Sequence, residues 1–499
     1  MGKIYKIRQI KYAAHSVSIQ VYKIENRKRI ILRHIGTAHN EQEKTDLLVV
    51  ANDFIEKISK QLPLLKDENP GNFLYVDQTE FIGVHYTFLY DVITKLIIDI
   101  GFDRVKDDLL LDLVIVRMLE PASKLRSIEL IDEYFGIKHR RQNYYQTAPQ
   151  WLSLKSKVES ITLAFAKKHY EFNFDLLFYD VTTLYFEAFE QDDLRKNGFS
   201  KDNKIQQPQI LVALMVSKEG FPTSYEVFAG DIFEGHTIIP VVTNFIRKNK
   251  VKNFTVVADA AMISADNIEA LKENGINYIV GARLGSLSKE CIVDIDKNIL
   301  REDGKTIRMK TSNGYLICSY SSSRYRKDKH EMEKQIEKAK YIVNNPSKNK
   351  RIKFIKANGQ HVELNQNLID KTQKILGIKG YYTNLGENTA SNTEIIERYH
   401  ELYKIEQAFR ISKNDLQTRP IFHYKEEPIK LHLLICFMAL VISKHIELQT
   451  HISIRKFIHD CKRITDARLK NLITGKETKI RTKLTPEIIE TLGKFDLLT

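Results

Sequence analysis

The sequence predicts a mixed α/β fold, and three observations carry that prediction. Apolar runs rich in β-branched and aromatic residues recur from Phe174 onward, at Phe174–Tyr179, Gln209–Val216, Thr223–Phe228, Phe254–Ala258 and Tyr278–Gly281. Turn residues Lys218-Glu219-Gly220 separate the second run from the third, so the first three read as a meander. Helix-like stretches, Thr237–Arg247 and Ala265–Glu273, then alternate with the remaining strands, the second capped at Ser264 and stopped near Gly275.

A three-strand meander followed by helix–strand alternation is the order of a ribonuclease-H-like sheet. The 499 residues are enough for about three domains. Residues 1–65 hold alternating runs (Val17, Ile19, Val21, then Ile30–Ile35), broken at Gly36-Thr37, and an amphipathic helix from Glu41 to Leu62. They predict a small N-terminal α+β domain. Residues 66–168 read as helical from Thr79, with Leu109–Leu119 nearly all apolar and a stop at Glu120-Pro121. The catalytic core is expected in two pieces, 169–284 and 376–448. The interruption, 285–375, is read as a β-rich basic insertion with a strand at Tyr315–Tyr320, a charged helix at Lys329–Val343 and a basic stretch at Lys348–Lys356. After a strand at Gly377–Asn384, one long helix is expected from Ser391 to Asp415 and an apolar one from Pro428 to Leu448. Residues 449–499 read as a basic helical tail.

Composition narrows the function. With 43% hydrophobic and 28% charged residues the chain is neither disordered nor dominated by membrane segments, and 11 Pro and 21 Gly exclude a collagen-like chain. Lys and Arg number 77 against 63 Asp and Glu, a net charge of +14 that favours a polyanion such as DNA or RNA. A plain surface excess gives the same number. Residues 301–356 hold 16 Lys and Arg against 6 Asp and Glu, so most of the surplus sits in the insertion. Cys291, Cys318, Cys436 and Cys461 form no C-x-x-C pair, which speaks against a zinc ribbon and for a reducing compartment. The first residues show no apolar signal run, and Leu431–Ile442 is too short to span a bilayer. The expected location is the cytoplasm, with no membrane partner.

Three carboxylates stand out. Asp180 and Asp259 each follow an apolar strand run, and the predicted order sets those strands side by side. Each could equally cap a turn. Glu406 lies on the long predicted helix, seven residues from both Tyr399 and Lys413, a spacing of nearly two turns that would put all three on one face. A solvated charged face has the same pattern. Carboxylate oxygens suit Mg²⁺, and a metal pair about 3.5–4 Å apart can activate an attacking oxygen and steady a leaving one in phosphoryl transfer. His236, His400, His423 and His432 lack zinc-site spacing, and the sequence holds neither a P-loop nor a G-x-S-x-G elbow.

Taken together these residues resemble the DDE transposases of bacterial insertion sequences, in the IS-four-like superfamily marked by a Y-R-E-K signature. Tyr399, Glu406 and Lys413 fall at the signature's spacing, and Leu402 stands where it has arginine, with Arg398 or Arg410 as substitutes. The stretches Phe178–Thr183, Val257–Asp259, Gln417–Phe422 and Arg117–Lys124 add to the likeness, which covers roughly residues 117–442. The resemblance implies that Asp180, Asp259 and Glu406 bind two Mg²⁺ ions, with Mn²⁺ as a substitute. It implies that Tyr399, Lys413, Arg398 and Arg410 hold DNA phosphate. It also implies cut-and-paste transposition by a homodimer acting on double-stranded DNA, first at the element's terminal inverted repeats and then at a target. In relatives an aromatic residue of the insertion, commonly tryptophan, stacks on a flipped base. Here Trp151 lies outside the insertion, leaving Tyr315, Tyr320, Tyr325 or Tyr341. Two other readings remain open at this stage: a non-cleaving DNA-binding descendant, and a cellular ribonuclease-H-like nuclease or resolvase.

Overall fold

The computed structural model describes residues 5–13, 16–25, 28–59, 79–172, 174–201, 204, 206–251, 253–262, 264–345, 352–358, 361–472 and 475–495. The predicted boundary at 65/66 and the first residues of the basic stretch 348–356 lie outside them. The chain forms two compact units, one of Met1–Asp91, Asp132–Ile137 and His459–Glu490, the other of Val92–Ile131, Lys138–Ile458 and Thr491–Thr499.

Strands β1 (Tyr5–Ala13), β2 (Ser16–Glu25) and β3 (Lys28–Ala38) make an antiparallel meander. Helix α1 (Glu41–Ser59) packs on it through Leu47 and Ala51, against Ile19 and Val21. The expected helical stretch beginning at Thr79 instead opens with a strand, β4 (Thr79–His85). Its partner is β15 (Asp466–Asn471), with β16 (Glu477–Arg481) beyond it. The basic tail residues Lys476 and Lys479 therefore sit on or beside a β-hairpin and not on a helix; the helices that follow α14 (Glu426–Thr450) among the described residues are α15 (Ile454–Lys462) and α16 (Pro486–Gly493). Alternation is weak in both segments, and their partners lie nearly 400 positions apart, so no local pattern announces the pairing.

Helices α2 (Thr87–Ile100), α3 (Asp108–Leu119), α4 (Lys124–Phe135), α5 (Arg141–Trp151) and α6 (Lys155–His169) follow β4. Asp107 caps α3, accepting from Leu110 N at 2.9 Å, and its second oxygen accepts from Trp151 Nε1 at 2.6 Å. The chain's tryptophan is thus a buried anchor between helices.

The large sheet holds β5 (Leu176–Tyr185), β6 (Gln209–Ser217), β7 (Pro222–Ala229), β8 (Thr255–Ala258), β9 (Asn277–Ala282), β10 (Thr306–Thr311), β11 (Gly314–Tyr320) and β14 (Ile378–Thr383). Its spatial order is β10-β11-β14-β9-β8-β5-β6-β7. The meander β5–β6–β7 is antiparallel, and β8 and β9 add in parallel on the other side of β5. That is the predicted ribonuclease-H-like order. Every residue of β6 is buried, as a strand covered on both faces requires.

The segment 285–375 differs from the β-rich expectation. Its described residues contain α9 (Lys289–Asn298), the 22-residue α10 (Ser322–Val343) and α11 (Gln366–Lys374), and one separate hairpin, β12 (Ile355–Asn358) with β13 (His361–Leu364). Strands β10 and β11 extend the main sheet through β14. Open edges of a sheet recruit strands, and these two cover the β14 edge.

The remaining helices are α7 (Ile238–Asn249), α8 (Ala265–Glu273), α12 (Asn392–His400), α13 (Tyr403–Arg410) and α14 (Glu426–Thr450). The apolar run seen in sequence becomes 25 residues of α14, long and apolar enough to cross a membrane, but 94% of its most apolar window is buried inside the protein. It packs on α3, α5, α6 and β7. His445 of α14 sits in this core, with Tyr170 Oη 2.8 Å from Nδ1, Asp99 Oδ2 3.8 Å from Nε2 and the Phe165 ring edge-on at 4.9 Å. Burial pushes its imidazole down to about 4, against the pull of Asp99. The unfolded chain takes up that proton near its ordinary 6.5 while the folded chain does not, so stability is complete above pH 6.5 and is lost as pH falls toward 4. The expected loss is about 3 kcal/mol at the acid end. Urea unfolding across that range should be less steep in pH for His445→Gln than for wild type; parallel curves would contradict this.

Candidate active site

The parallel ladder of β5 and β8 aligns Leu176 with Thr255 through Tyr179 with Ala258, and there it ends. The next residue on each chain is an aspartate, Asp180 and Asp259. Asp180 does not close its strand, as the sequence suggested, because pairing with β6 carries β5 on to Tyr185. It sits inside a strand at the point where one neighbour leaves. Burial pushes the Asp180 carboxyl up to about 6, against the pull of Lys201 and of the Val181 N–H, and the charges of Glu234 and Asp259 add to the rise. Its Oδ1 accepts from Val181 N at 2.8 Å and lies 3.8 Å from Lys201 Nζ. The same ammonium is 3.1 Å from Glu234 Oε1 and donates to the Val181 carbonyl. Lys201 therefore ties Asp180 to Glu234. Neither Lys201, in a turn, nor Glu234, which opens a short 3₁₀ helix, was singled out in sequence, because neither segment carries a local signal.

Asp259 is exposed just past β8 and accepts from Tyr399 Oη at 3.0 Å. Tyr399 is buried on α12, edge-on to Tyr381 of β14 with ring centres 4.9 Å apart, and Lys379 Nζ lies 4.7 Å from its ring centre. The tyrosine reaches Asp259 by passing over Gly281 of β9, where a Cβ would stand 2.5 Å from its hydroxyl. Burial and the adjacent Asp259 raise the phenol, so Tyr399 remains a hydrogen-bond donor. Burial and Arg324 lower the Lys379 ammonium, while Asp259 and Glu406 pull it back up. Lys379 is a second residue the sequence did not mark.

The long helix expected over 391–415 is broken. Helix α12 ends at His400, Glu401-Leu402 forms a turn, α13 runs from Tyr403 to Arg410, and a π-turn spans Ile411–Asp415. Tyr399, Glu406 and Lys413 are consequently on three successive elements instead of one continuous helix. The break has a tertiary cause: α12 packs on β8 and β9 while α13 packs on β5 and β6, and Leu402 is buried at the corner. Leu402 therefore offers a packing side chain where the signature has a phosphate-binding arginine. Glu406 is exposed on α13 and acts electrostatically on both Tyr399 and Lys379, the two groups that also feel Asp259. Lys413 is half-buried in the π-turn. Arg398 acts on Glu394 of its own helix, and exposed Arg410 on Lys444 of α14. Of the insertion tyrosines, Tyr315 faces Arg308, Tyr320 pairs with Tyr325, and Tyr341 is exposed.

The family profile described as "Transposase DDE domain" matches residues 175–442, more than half of the chain, and the chain belongs to that family. The protein is accordingly a DDE-type DNA transposase, an enzyme class that works on DNA with divalent metal ions and from which strand cleavage and strand transfer are expected. Among solved structures, a cryo-EM structure of the piggyBac transposase synaptic complex with hairpin DNA is 11% identical over 81% of this chain and 74% of that chain, with a TM-score of 0.37. The Mos1 transposase paired-end complex with left transposon end is 12% identical over 46% of this chain and 66% of that chain, with a TM-score of 0.16. No curated protein matches the chain.

The donor set can be tested against a divalent ion. Asp180 and Asp259 follow paired residues, and the Asp259 charge adds to the cost of charge on buried Asp180, a deficit that a cation relieves. Among the described residues, however, no three His, Cys, Asp or Glu side chains are gathered into a metal-holding group. The two aspartates fit the family's metal chemistry as the fixed part of a site, with Glu406 on a separate element. A bound divalent ion would supply Lewis-acid stabilisation of a phosphoryl oxygen and a lowered pKa for water or a 3′-hydroxyl.

Proposed function

We propose that the protein is the cut-and-paste transposase of a bacterial insertion sequence, in the Y-R-E-K signature superfamily. The observation that carries this reading is that Asp180 and Asp259 each follow the last pair, Tyr179 and Ala258, of the β5–β8 ladder, with the Tyr399 hydroxyl on Asp259. In this reading Asp180, Asp259 and Glu406 hold two Mg²⁺ ions, for which Mn²⁺ substitutes. Lys201 holds Asp180 and Glu234 in place, and Tyr399 orients Asp259. Lys413, with Arg398 and Arg410 in support, contacts DNA phosphate. Water attacks a phosphodiester at each element end and frees a 3′-hydroxyl, which then attacks a target phosphodiester. No protein side chain forms a covalent bond to DNA. A homodimer pairs the two terminal inverted repeats, and the segments 1–65, 285–375 and 449–499 share the DNA contacts. The protein works in the bacterial cytoplasm, on nucleoid DNA.

The test is cleavage of DNA carrying the sequences that flank the gene, with and without Mg²⁺. Metal-dependent nicks at both ends, leaving 3′-hydroxyls that join to a second duplex, are the expected result. Binding of those ends without any cut would reduce the protein to a DNA-binding descendant.

A further inference from the structure

The stretch Arg117–Lys124, noted in the sequence, has no part in the site around Asp180 and Asp259. It ends at a cavity of about 360 Å³ between α4, α5 and the start of α14. Leu125, Tyr145, Pro149, Leu152 and Leu431 give it largely apolar walls. Its basic lining residues are Lys124 and His423, and its carboxylate, Glu427, is exposed. Lys124 is only 4% exposed. Its amine lies 3.3 Å from His432 Nδ1, while His432 Nε2 donates to the Thr418 carbonyl at 3.0 Å. The carbonyl can only accept, so the proton of this imidazole is on Nε2 and Nδ1 accepts from Lys124.

A buried lysine normally meets an acid. The charged groups that act on Lys124 are Arg117 and Cys436, with no carboxylate among them, and those that act on His423 are Lys124 and Arg117. Burial, with Arg117 adding to it, holds the Lys124 amine well below its ordinary range. A lysine head has up to three hydrogens to give, and His432 is its hydrogen-bond partner among the described residues. The place is short of an anion. Ser123, Lys124 and Leu125, at the start of the 12-residue α4, all line the cavity, and Ser123 Oγ accepts from Arg126 N at 3.3 Å. The positive end of a helix therefore adds to the lysine.

We propose that this cavity binds a free nucleoside monophosphate, with the phosphate at Lys124 and the base against Tyr145. A phosphate offers several strong acceptors at once, matching the remaining hydrogens of Lys124 and the first N–H groups of α4. A bare ion would leave the apolar walls uncovered. Tyr145 is 63% exposed and edge-on to buried Tyr144, with ring centres 5.3 Å apart, so a flat base stacked on it hides apolar surface from water. The volume is near the lower end of the range for small-molecule pockets, about 300–1,000 Å³, which suits one nucleotide. The site also has a link to the catalytic segment. Beyond His432, Thr418 Oγ1 donates to Ser412 O at 2.8 Å, in the π-turn that carries Lys413.

The experiment is isothermal titration calorimetry of the full-length chain with EDTA present, at about 0.15 M salt. The probes are dAMP, deoxyadenosine, inorganic phosphate and a short single strand of deoxyadenylate. Wild type should bind dAMP saturably, and deoxyadenosine and inorganic phosphate each about tenfold more weakly or worse. Lys124→Met keeps the length of the side chain and removes the amine; its dAMP affinity should fall to that for deoxyadenosine, which itself should not change. Tyr145→Ala should weaken dAMP and deoxyadenosine alike, by about tenfold. Absence of saturable dAMP binding to wild type would overturn the proposal. So would wild-type dAMP affinity in both variants once circular dichroism shows them folded, or inorganic phosphate binding as tight as dAMP. Tighter binding of the single strand than of dAMP, lost in the same variants, would assign the cavity to DNA and overturn it too. Should Lys124→Met fail to fold, Tyr145→Ala and the wild-type contrast between dAMP and deoxyadenosine carry the test, and the absence of either effect overturns the proposal.

Discussion

Glu406→Gln should abolish end cleavage while leaving DNA binding and folding intact. The side chain is exposed on α13, and an exposed isosteric change alters stability by only about 0.5 kcal/mol or less. Its expected cost is catalytic. Loss of a single charge-stabilising donor in an active site costs about 10²–10³ in rate, and removing one carboxylate from a metal-holding set should reach at least the upper end of that range. Single-turnover nicking of flanking-end DNA in Mg²⁺, with binding measured in parallel, separates the two effects. A variant that cuts within tenfold of wild type would remove Glu406 from the site and turn attention to Glu234, the carboxylate already beside Asp180 through Lys201.

Gly281→Ala should disturb both stability and activity through one contact. The added methyl would lie 2.5 Å from the Tyr399 hydroxyl and 3.1 Å from the Ala260 side chain, inside the layer between β9 and α12. Overpacking of this kind costs about 1–3 kcal/mol, and the relief open to the protein is to move Tyr399 off Asp259. The partner substitution Tyr399→Phe removes the crowded oxygen. The double variant should therefore recover about 1 kcal/mol or more relative to the sum of the singles, a coupling that thermal or urea unfolding resolves. Simple additivity would mean that the methyl is accommodated elsewhere. Cleavage should stay low in both Tyr399 variants, because Asp259 has lost the hydroxyl that orients it.

Much of the core could be read from local pattern. The runs ending near Asp180 and Asp259 are strongly apolar and β-branched, and they became β5 and β8; the Ser264 cap starts α8, accepting from Asn267 N at 3.1 Å. The spacing of Tyr399, Glu406 and Lys413 was equally visible, but the single continuous helix expected to carry them is three successive elements. Glu401 and Leu402 carry no helix-breaking signal, and the chain turns there because α12 and α13 are claimed by different strands of the sheet. Lys201, Glu234, Gly281 and Lys379 were missed for a related reason. Each is ordinary in its own segment and acquires a role only from what the fold sets beside it. Strand β4 failed to announce itself because its partner β15 lies at the far end of the sequence.

The sequence by itself determined what is local: the mixed α/β class, the strand order of the core, its basic charge, and the two aspartates that follow apolar strand runs. Those features follow from side-chain period, turn chemistry and composition, each decided within a window of a few residues. Only the tertiary structure decided which groups meet. The parallel register that sets Asp180 beside Asp259, the glycine that lets Tyr399 through and the lysine that ties Asp180 to Glu234 all join residues far apart in the chain. Such contacts form because burial of the whole sheet fixes register, and a shift of one residue in β5 would turn Asp180 to the opposite face.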